Sequence, residues 1–268
     1  MRNKIIDCIT FFNENFIFDL RYNVIKDFVD LIVICESKYD HRGNEKKLNF
    51  NQEKYSSDKK IKYLVHQNPF PKKNNPWENQ AIQREFLLKN LNFVDDDDYV
   101  FFSDPDEIPN TDLYINLKLE KKFGIFMQKN FNYKFNLYNK FESPWDGPRF
   151  CKRKNLKSID YMRQKVWAKN LKYRFYRFDK EKNIQLFSNG GWHFNNIMSA
   201  EMISKKLRTF AHQEYSADKF SSPEIIKKKI DNQEDLFERG FKYEKIELDN
   251  SFPKYLLANK NLFKDFIL

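Results

Sequence analysis

The sequence predicts an α/β fold with a mostly parallel central sheet, helices on both faces and an antiparallel C-terminal extension. In the first half of the chain, short apolar runs typical of buried strands alternate with segments of helical periodicity. In the second half, alternating aromatic residues indicate antiparallel strands. No internal repeat and no linker rich in glycine, proline or serine interrupts this order, so we expect one domain over residues 1–268.

The elements follow from these patterns in chain order. Strands are predicted at residues 4–9, 29–35, 61–65, 100–102, 123–138 and 173–178. Helices are predicted at residues 16–28, 76–92, 199–210, 222–238 and 253–268. Pro76 supports the start of the second helix, because proline is favoured in a first helical turn. Since the carboxyl ends of parallel strands meet at one edge, residues 10–14, 36–37 and 104–107 are expected to share a rim.

Composition excludes several classes of protein. Hydrophobic residues make up 41% of the 268 residues, which is enough for a sizeable core. The net charge of +10 comes from scattered lysines and arginines, so we expect no nucleic-acid partner. The three cysteines have no metal-type spacing and are predicted to be buried, reduced thiols. No signal peptide and no span of about 20 apolar residues is visible, so we expect a cytoplasmic protein, with peripheral membrane contact left open.

The sharpest local motif is the D-x-D pattern of Asp104-Pro105-Asp106, directly after the strand at 100–102. Two carboxylates two residues apart can face one hard cation and a diphosphate together, and Mg²⁺ and Mn²⁺ are usually held in this way. The proline stiffens the turn. Its place at the carboxyl end of a strand favours a binding site over a plain acidic turn. The run Asp95–Asp98 precedes the same strand and is predicted to be a solvated loop.

Further candidate residues lie elsewhere in the chain. His193 follows Gly190 and Gly191, which allow close backbone approach to a ligand, and its imidazole can complete a metal shell. On a strand, Trp192 and Phe194 would face the core while His193 faces the opposite, cleft side. The alternative for this histidine is a packed, hydrogen-bonded core residue. Arg84, on the second predicted helix, can neutralise a diphosphate, and Glu36 at the rim can accept hydrogen bonds from a ribose or base.

Six short segments together resemble glycosyltransferase family 17, the family of the β-1,4-mannosyl-glycoprotein N-acetylglucosaminyltransferases. Each segment is a weak signal, but they occur in the family's order and extend from residue 5 to about residue 257. The segments are Phe11-Phe12-Asn13-Glu14, Val33-Ile34-Cys35-Glu36-Ser37, Ser103-Asp104-Pro105-Asp106-Glu107-Ile108-Pro109, Gly191-Trp192-His193, His212-Gln213-Glu214-Tyr215 and Pro253-Lys254-Tyr255-Leu256-Leu257.

The resemblance implies a GT-A-like nucleotide-sugar-binding fold, a UDP-sugar donor, a divalent cation (Mn²⁺ or Mg²⁺) and inversion at the anomeric carbon. The donor of the best-known members is UDP-GlcNAc. Those members carry a membrane anchor and a stem, which are not seen here. We therefore expect a bacterial or viral glycan, glycolipid or glycoprotein as the acceptor, rather than an N-glycan.

With this resemblance, each candidate residue receives an expected role. Asp104 and Asp106 bridge the metal and the donor diphosphate, with Asp106 the first choice as direct ligand and His193 a further ligand. Arg84 binds the phosphates. The nucleoside is expected to contact Thr10, Phe11, Asn13, Glu14 and Glu36. An inverting transfer also needs a base on the acceptor hydroxyl, and Asp146 and Glu214 are both candidates.

Two other functions stay open at this point. A catalytically silent relative, or a basic module that binds an anionic polymer, would account for the net charge of +10. A nucleotidyltransferase would also use paired carboxylates, but it would be expected to carry a glycine-rich phosphate loop near the N-terminus. Residues 1–30 contain no glycine.

Overall fold

A computed structural model of the chain describes residues 2–209 and 217–268. Over these residues, eleven strands form one sheet. The strands are β1 (Ile5–Phe11), β2 (Leu31–Ser37), β3 (Ile61–His66), β4 (Tyr99–Ser103), β5 (Glu107–Pro109), β6 (Phe123–Asn132), β7 (Leu137–Tyr138), β8 (Trp145–Lys152), β9 (Ile184–Phe187), β10 (Gly191–Asn195) and β11 (Glu244–Lys245). The helices are α1 (Asn15–Ile25), α2 (Pro76–Lys89), α3 (Asp112–Ile115), α4 (Ile159–Lys165), α5 (Ala200–Thr209), α6 (Asp218–Ser221), α7 (Pro223–Asp231) and α8 (Lys254–Ala258).

The sheet is parallel at one end and mixed at the other. The neighbouring strands β4, β1, β2 and β3 are all parallel. Next to them, β8 runs antiparallel to both β4 and β6, whereas β6 pairs in parallel with β9 and β10. The predicted parallel order therefore holds for the first four long strands, and the sheet as a whole is mixed.

Helices cover both faces of the parallel strands, because alternate side chains of one strand point to opposite sides. Cys8 of β1 packs with Leu87 of α2 on one face, and Ile9 packs with Phe18 of α1 on the other. All three cysteines are buried and free, as predicted. None of the described helices is both long and apolar enough to cross a bilayer.

The second predicted helix begins at Pro76 as expected, because the chain supplies a complete cap there. The Asn75 side chain accepts hydrogen bonds from the backbone N–H groups of Trp77 and Glu78, at 2.9 and 3.0 Å. The Glu78 carboxylate accepts one in return from the Asn75 N–H, at 2.8 Å. The helix also buries a polar face, which consists of Asn79, Gln80, Gln83 and Arg84.

Several predicted elements were wrong. Residues 173–178 form no strand. As a strand, this segment would place a tyrosine, a phenylalanine and an arginine on each of its two faces, so neither face would be apolar enough to join the core. Residues 145–152 were not among the predicted strands, yet they form β8, where pairing with β6 overrides the local turn residues. Asp98, expected in a solvated loop, is buried and accepts a hydrogen bond from the Lys4 N–H at 2.7 Å. The C-terminal helix is only the short α8, followed by the 3₁₀ turn Lys260–Phe266.

Candidate active site

A cavity of about 490 Å³ opens at the carboxyl-end edge of β1, β2 and β4. Its lining includes residues 10–12, Ser37 and residues 104–106, which confirms the predicted rim. Strands β6 and β10 run in the same direction and contribute Asn130 and Asn195. A second cavity, of about 910 Å³, contains none of those predicted site residues that the structure describes. We therefore place the candidate active site in the first cavity.

The acidic turn between β4 and β5 is held from beneath by Arg21 of α1. Its guanidinium donates hydrogen bonds to the Asp7 carboxylate at 2.6 and 2.9 Å, the Ser103 hydroxyl at 2.7 Å and the Glu107 carbonyl at 2.8 Å. Asp7 and Arg21 are completely buried. Burial alone would lower the pKa of Arg21, but Asp7 outweighs it and the pKa is raised. A permanent buried cation thus fixes both ends of the turn.

Arg163 of α4 neutralises the turn from the cavity side. It donates to Asp104 at 2.6 Å and to the two Glu107 carboxylate oxygens at 2.8 and 3.1 Å. The Trp145 indole N–H donates to the same Glu107 carboxylate at 2.8 Å. Burial alone would raise the pKa of Asp104, but Arg163 and Arg84 outweigh it, so the pKa lies below its usual value. Glu107 therefore organises the turn, and Asp104 is held as an anion.

Asp106 and His193 meet in the cavity although they lie far apart in sequence. His193 Nε2 is 3.7 Å from Asp106 Oδ1. The Trp145 ring stacks on the imidazole with the ring centroids 4.6 Å apart. Burial raises the pKa of Asp106, an effect that His193 and Lys206 partly offset. The second ring nitrogen, His193 Nδ1, is buried and has no hydrogen-bond partner among the described residues.

The segment around His193 confirms one prediction and corrects another. Trp192 and Phe194 join the hydrophobic core while His193 lines the cavity, as strand alternation predicts. The preceding glycines, however, lie outside the lining of this cavity and against the backbone of neighbouring strands. A Cβ on Gly191, at φ +120°, would lie 2.2 Å from the carbonyl oxygen of Ile108. The glycine is needed so that β10 can approach β5 closely.

Glu36 lies beneath the cavity and does not line it. Its carboxylate accepts hydrogen bonds from the Lys46 ammonium, the backbone N–H groups of Asn49 and Phe50 at 2.8 and 3.0 Å, and the Tyr63 hydroxyl at 2.8 Å. It is completely buried. Lys46 does line the cavity, so Glu36 reaches the site through this lysine.

The first predicted binding segment is partly in the cavity. Thr10, Phe11 and Glu14 line it, whereas Asn13 does not. The Glu14 carboxylate accepts hydrogen bonds from the backbone N–H groups of Phe12 and Asn13, at 2.8 and 2.9 Å. Burial raises the pKa of Glu14. Glu14 therefore shapes the loop in addition to facing the cavity.

Arg84 and the two candidate bases, Asp146 and Glu214, differ in their position relative to the cavity. Arg84 lines the cavity, is held by Asp160 at 2.8 Å, and has a buried Nε with no partner among the described residues. Asp146 is outside the cavity lining, and its carboxylate accepts a hydrogen bond from the Ala168 N–H at 2.7 Å. Glu214 lies outside the described residues, as does the neighbouring His212.

Sequence reasoning missed several residues of the lining: Lys46, Asn130, Arg163, Trp167, Lys206 and Arg239. Most belong to no motif. Asn130 could have been noticed in the sequence, because Gln128, Asn130 and Asn132 are polar at every second position of a strand that is apolar from Phe123 to Met127. In the structure, Asn130 pairs with His193 across β6 and β10, and both of its side-chain polar atoms are buried without a described partner.

Comparison with known proteins identifies the family. The profile of glycosyltransferase family 17 matches residues 1–264. No curated protein matches the sequence significantly. A solved structure described as a glycosyltransferase involved in the glycosylation of the major capsid of PBCV-1 is 9% identical, with a TM-score of 0.34, over 69% of this chain and 81% of that chain. Because the family profile spans nearly the whole sequence, this chain belongs to glycosyltransferase family 17, whose members transfer sugars.

Proposed function

We propose that the protein is an inverting glycosyltransferase that moves GlcNAc from UDP-GlcNAc to a glycan or glycoconjugate, with a divalent cation. The observation that carries this proposal is the meeting of Asp104, Asp106 and His193 in one cavity at the carboxyl edge of the sheet. The volume of about 490 Å³ is in the usual range of ligand pockets, roughly 300–1,000 Å³. Family membership supplies the reaction class.

The residues present fit a divalent cation. Carboxylate oxygen and imidazole nitrogen suit Mn²⁺, and the imidazole of His193 is not fully satisfied by the described residues. Asp106 is the first choice as ligand, because Asp104 is already bound by Arg163 at 2.6 Å. No ready cluster of three such side chains exists in the described ranges, so substrate phosphates would complete the shell. When bound, the cation supplies positive charge that stabilises the departing diphosphate.

The rest of the cavity suits the donor. Arg84 is placed to bind phosphate, because its guanidinium is buried against the cavity and its Nε is unsatisfied among the described residues. Thr10, Phe11 and Glu14 line the side on which we place the nucleoside. Asn13 and Glu36 would act on the donor indirectly, through the 12–13 backbone and through Lys46 respectively.

Glu214 is our choice for the base on the acceptor hydroxyl. Asp146 is held by the Ala168 backbone outside the cavity lining, and this position favours a structural role over that of the base. We expect Glu214→Gln to abolish transfer while UDP binding stays at the wild-type level. Asp146→Asn should lower thermal stability and leave transfer by the folded protein largely intact. The reverse pattern would assign the base to Asp146.

Donor and metal are tested by thermal shift and by UDP release. We expect UDP with Mn²⁺ to raise the melting temperature, and GDP, CMP or ADP not to do so. Chelation by EDTA should remove the UDP effect. Among UDP-sugars, UDP-GlcNAc should support the fastest UDP release in the presence of an acceptor. Stabilisation by another nucleotide alone, or by UDP equally well under chelation, contradicts the proposal.

Asp106→Asn is the sharpest single variant. It should abolish both UDP release and the Mn²⁺-dependent shift without unfolding the protein, because Asp106 lies in the turn and outside the core clusters. Asp96→Asn is the matched control, since Asp96 is an exposed carboxylate just before β4, at the opposite edge of the sheet. Equal behaviour of the two variants would mean that the turn is no metal site. UDP binding without release from any sugar would favour the catalytically silent relative.

A further inference from the structure

A strongly basic and aromatic segment protrudes beside the cavity. Residues 169–182, here termed the basic strap, contain six lysines or arginines and two acidic residues, so their net charge is +4. All residues from 171 to 179 are exposed. Phe175 and Phe178 are 86% and 90% exposed, the highest values among the large exposed apolar residues. The positive charge of the chain is therefore locally concentrated and interleaved with aromatics, contrary to the expectation from sequence.

The acidic residues of the basic strap do not cancel its surface charge. Asp179 accepts two hydrogen bonds from Arg177, both at 2.7 Å, and lies 3.3 Å from the Lys180 ammonium. Glu181 is paired with Lys122 at 3.6 Å. Four cations of the basic strap have no carboxylate within ion-pair distance in the described ranges: Lys169, Lys172, Arg174 and Lys182.

Both ends of the basic strap are fixed to the body of the protein. At the start, the Asn170 side chain is buried and donates to the Lys165 carbonyl at 2.7 Å. Trp167, just before it, lines the cavity. At the other end the chain enters β9, which pairs with β6. The basic strap is thus an exposed segment that is anchored at both ends, and its start lies next to the cavity wall.

We propose that the basic strap docks the protein on an anionic phospholipid bilayer. A bilayer surface attracts each nearby lysine or arginine by about 1 kcal/mol and accepts aromatic rings at the headgroup level. A soluble anionic polymer without aromatic groups, such as an acidic polysaccharide, would use the cations but leave Phe175 and Phe178 in water. A second copy of the chain would bring two like charges of +4 together. This inference goes beyond the proposed transfer reaction, and docking would hold the cavity next to the membrane.

Vesicle co-sedimentation tests the inference. The full chain should bind vesicles of phosphatidylcholine with phosphatidylglycerol and should not bind vesicles of phosphatidylcholine alone. Phe175→Ser/Phe178→Ser should weaken the binding by about tenfold or more, because two aromatic rings no longer enter the interface. Ile115→Ser/Leu262→Ser is the matched control, with side chains 66% and 64% exposed at other places. This control should bind as the wild type does.

Charge is tested separately. Lys172→Gln/Arg174→Gln should lower vesicle binding by about 30-fold, which corresponds to the loss of two cations at the bilayer surface. Lys227→Gln/Lys228→Gln, on exposed positions of α7, is the charge control and should have little effect. UDP release without vesicles should be the same for all four double variants. This result separates a failed docking surface from a failed active site.

Four outcomes would overturn the docking proposal. The first is no binding to anionic vesicles, or equal binding to neutral ones. The second is equal loss in the strap variants and in their controls. The third is a dimer in size-exclusion chromatography that Phe175→Ser/Phe178→Ser dissociates, which would assign the exposed rings to a second copy. The fourth is tight binding to a soluble anionic polymer, either one that ignores the two phenylalanines or a single-stranded nucleic acid whose bases stack on them.

Discussion

Replacing Arg21 by methionine tests how the fold positions the acidic turn. Arg21 and Asp7 are both completely buried and joined at 2.6 and 2.9 Å. Removing one partner of such a pair leaves an uncompensated buried charge and costs about 3–5 kcal/mol. The variant also loses the hydrogen bonds to Ser103 and Glu107 that fix the turn. We expect this loss of unfolding free energy, and UDP release about 100-fold slower, since a displacement of about 1 Å can cost that much.

A double variant, Arg21→Met/Asp7→Leu, separates stability from positioning. Replacing both partners by apolar residues removes the uncompensated charge, so most of the unfolding free energy should return. UDP release should stay slow, because the bonds to Ser103 and Glu107 are still missing. Urea denaturation followed by tryptophan fluorescence gives the stability, and UDP release at low temperature gives the activity. A cost below about 1 kcal/mol for Arg21→Met, or wild-type activity in the double variant, would refute this reasoning.

Three further variants probe single contacts. His193→Ala should lower Mn²⁺ affinity, measured by titration calorimetry, with little change in melting temperature, because the buried Nδ1 makes no described hydrogen bond; the opposite result would make this histidine a core residue. Glu36→Gln should lower the unfolding free energy, measured by urea denaturation, by about 3 kcal/mol, because it loses the Lys46 ion pair and turns an amide N–H toward backbone donors. An unchanged urea midpoint would contradict a stabilising role of this buried network. Gly191→Ala should lower the unfolding free energy by about 3 kcal/mol or more. Gly43→Ala should lower it by only about 1 kcal/mol, because Gly43 has φ +89° but open space around it. Equal losses would show that the close approach of the strands at Gly191 is unimportant.

Local patterns in the sequence determined the first half of the fold. Apolar runs and a proline at the start of α2 located β1 to β4 and their helices to within a few residues. Once the strands were known to be parallel, their carboxyl ends had to share an edge, so Asp104 and Asp106 could be assigned to the rim. Strand alternation alone predicted that His193 faces the cavity, while the aromatic residues on either side of it face the core.

Only the tertiary structure decided which polar side chains face the cavity and which form hydrogen bonds and ion pairs inside the protein. Arg163 reaches Asp104 from a helix 59 residues away, and no pattern in its own segment marks it. Glu36 stands at the predicted rim, yet four donors from later segments turn it inward, so the residue that faces the cavity is Lys46. Local periodicity reports which face of an element is apolar. The partners of a buried charge come from distant segments, and the folded chain alone brings them together.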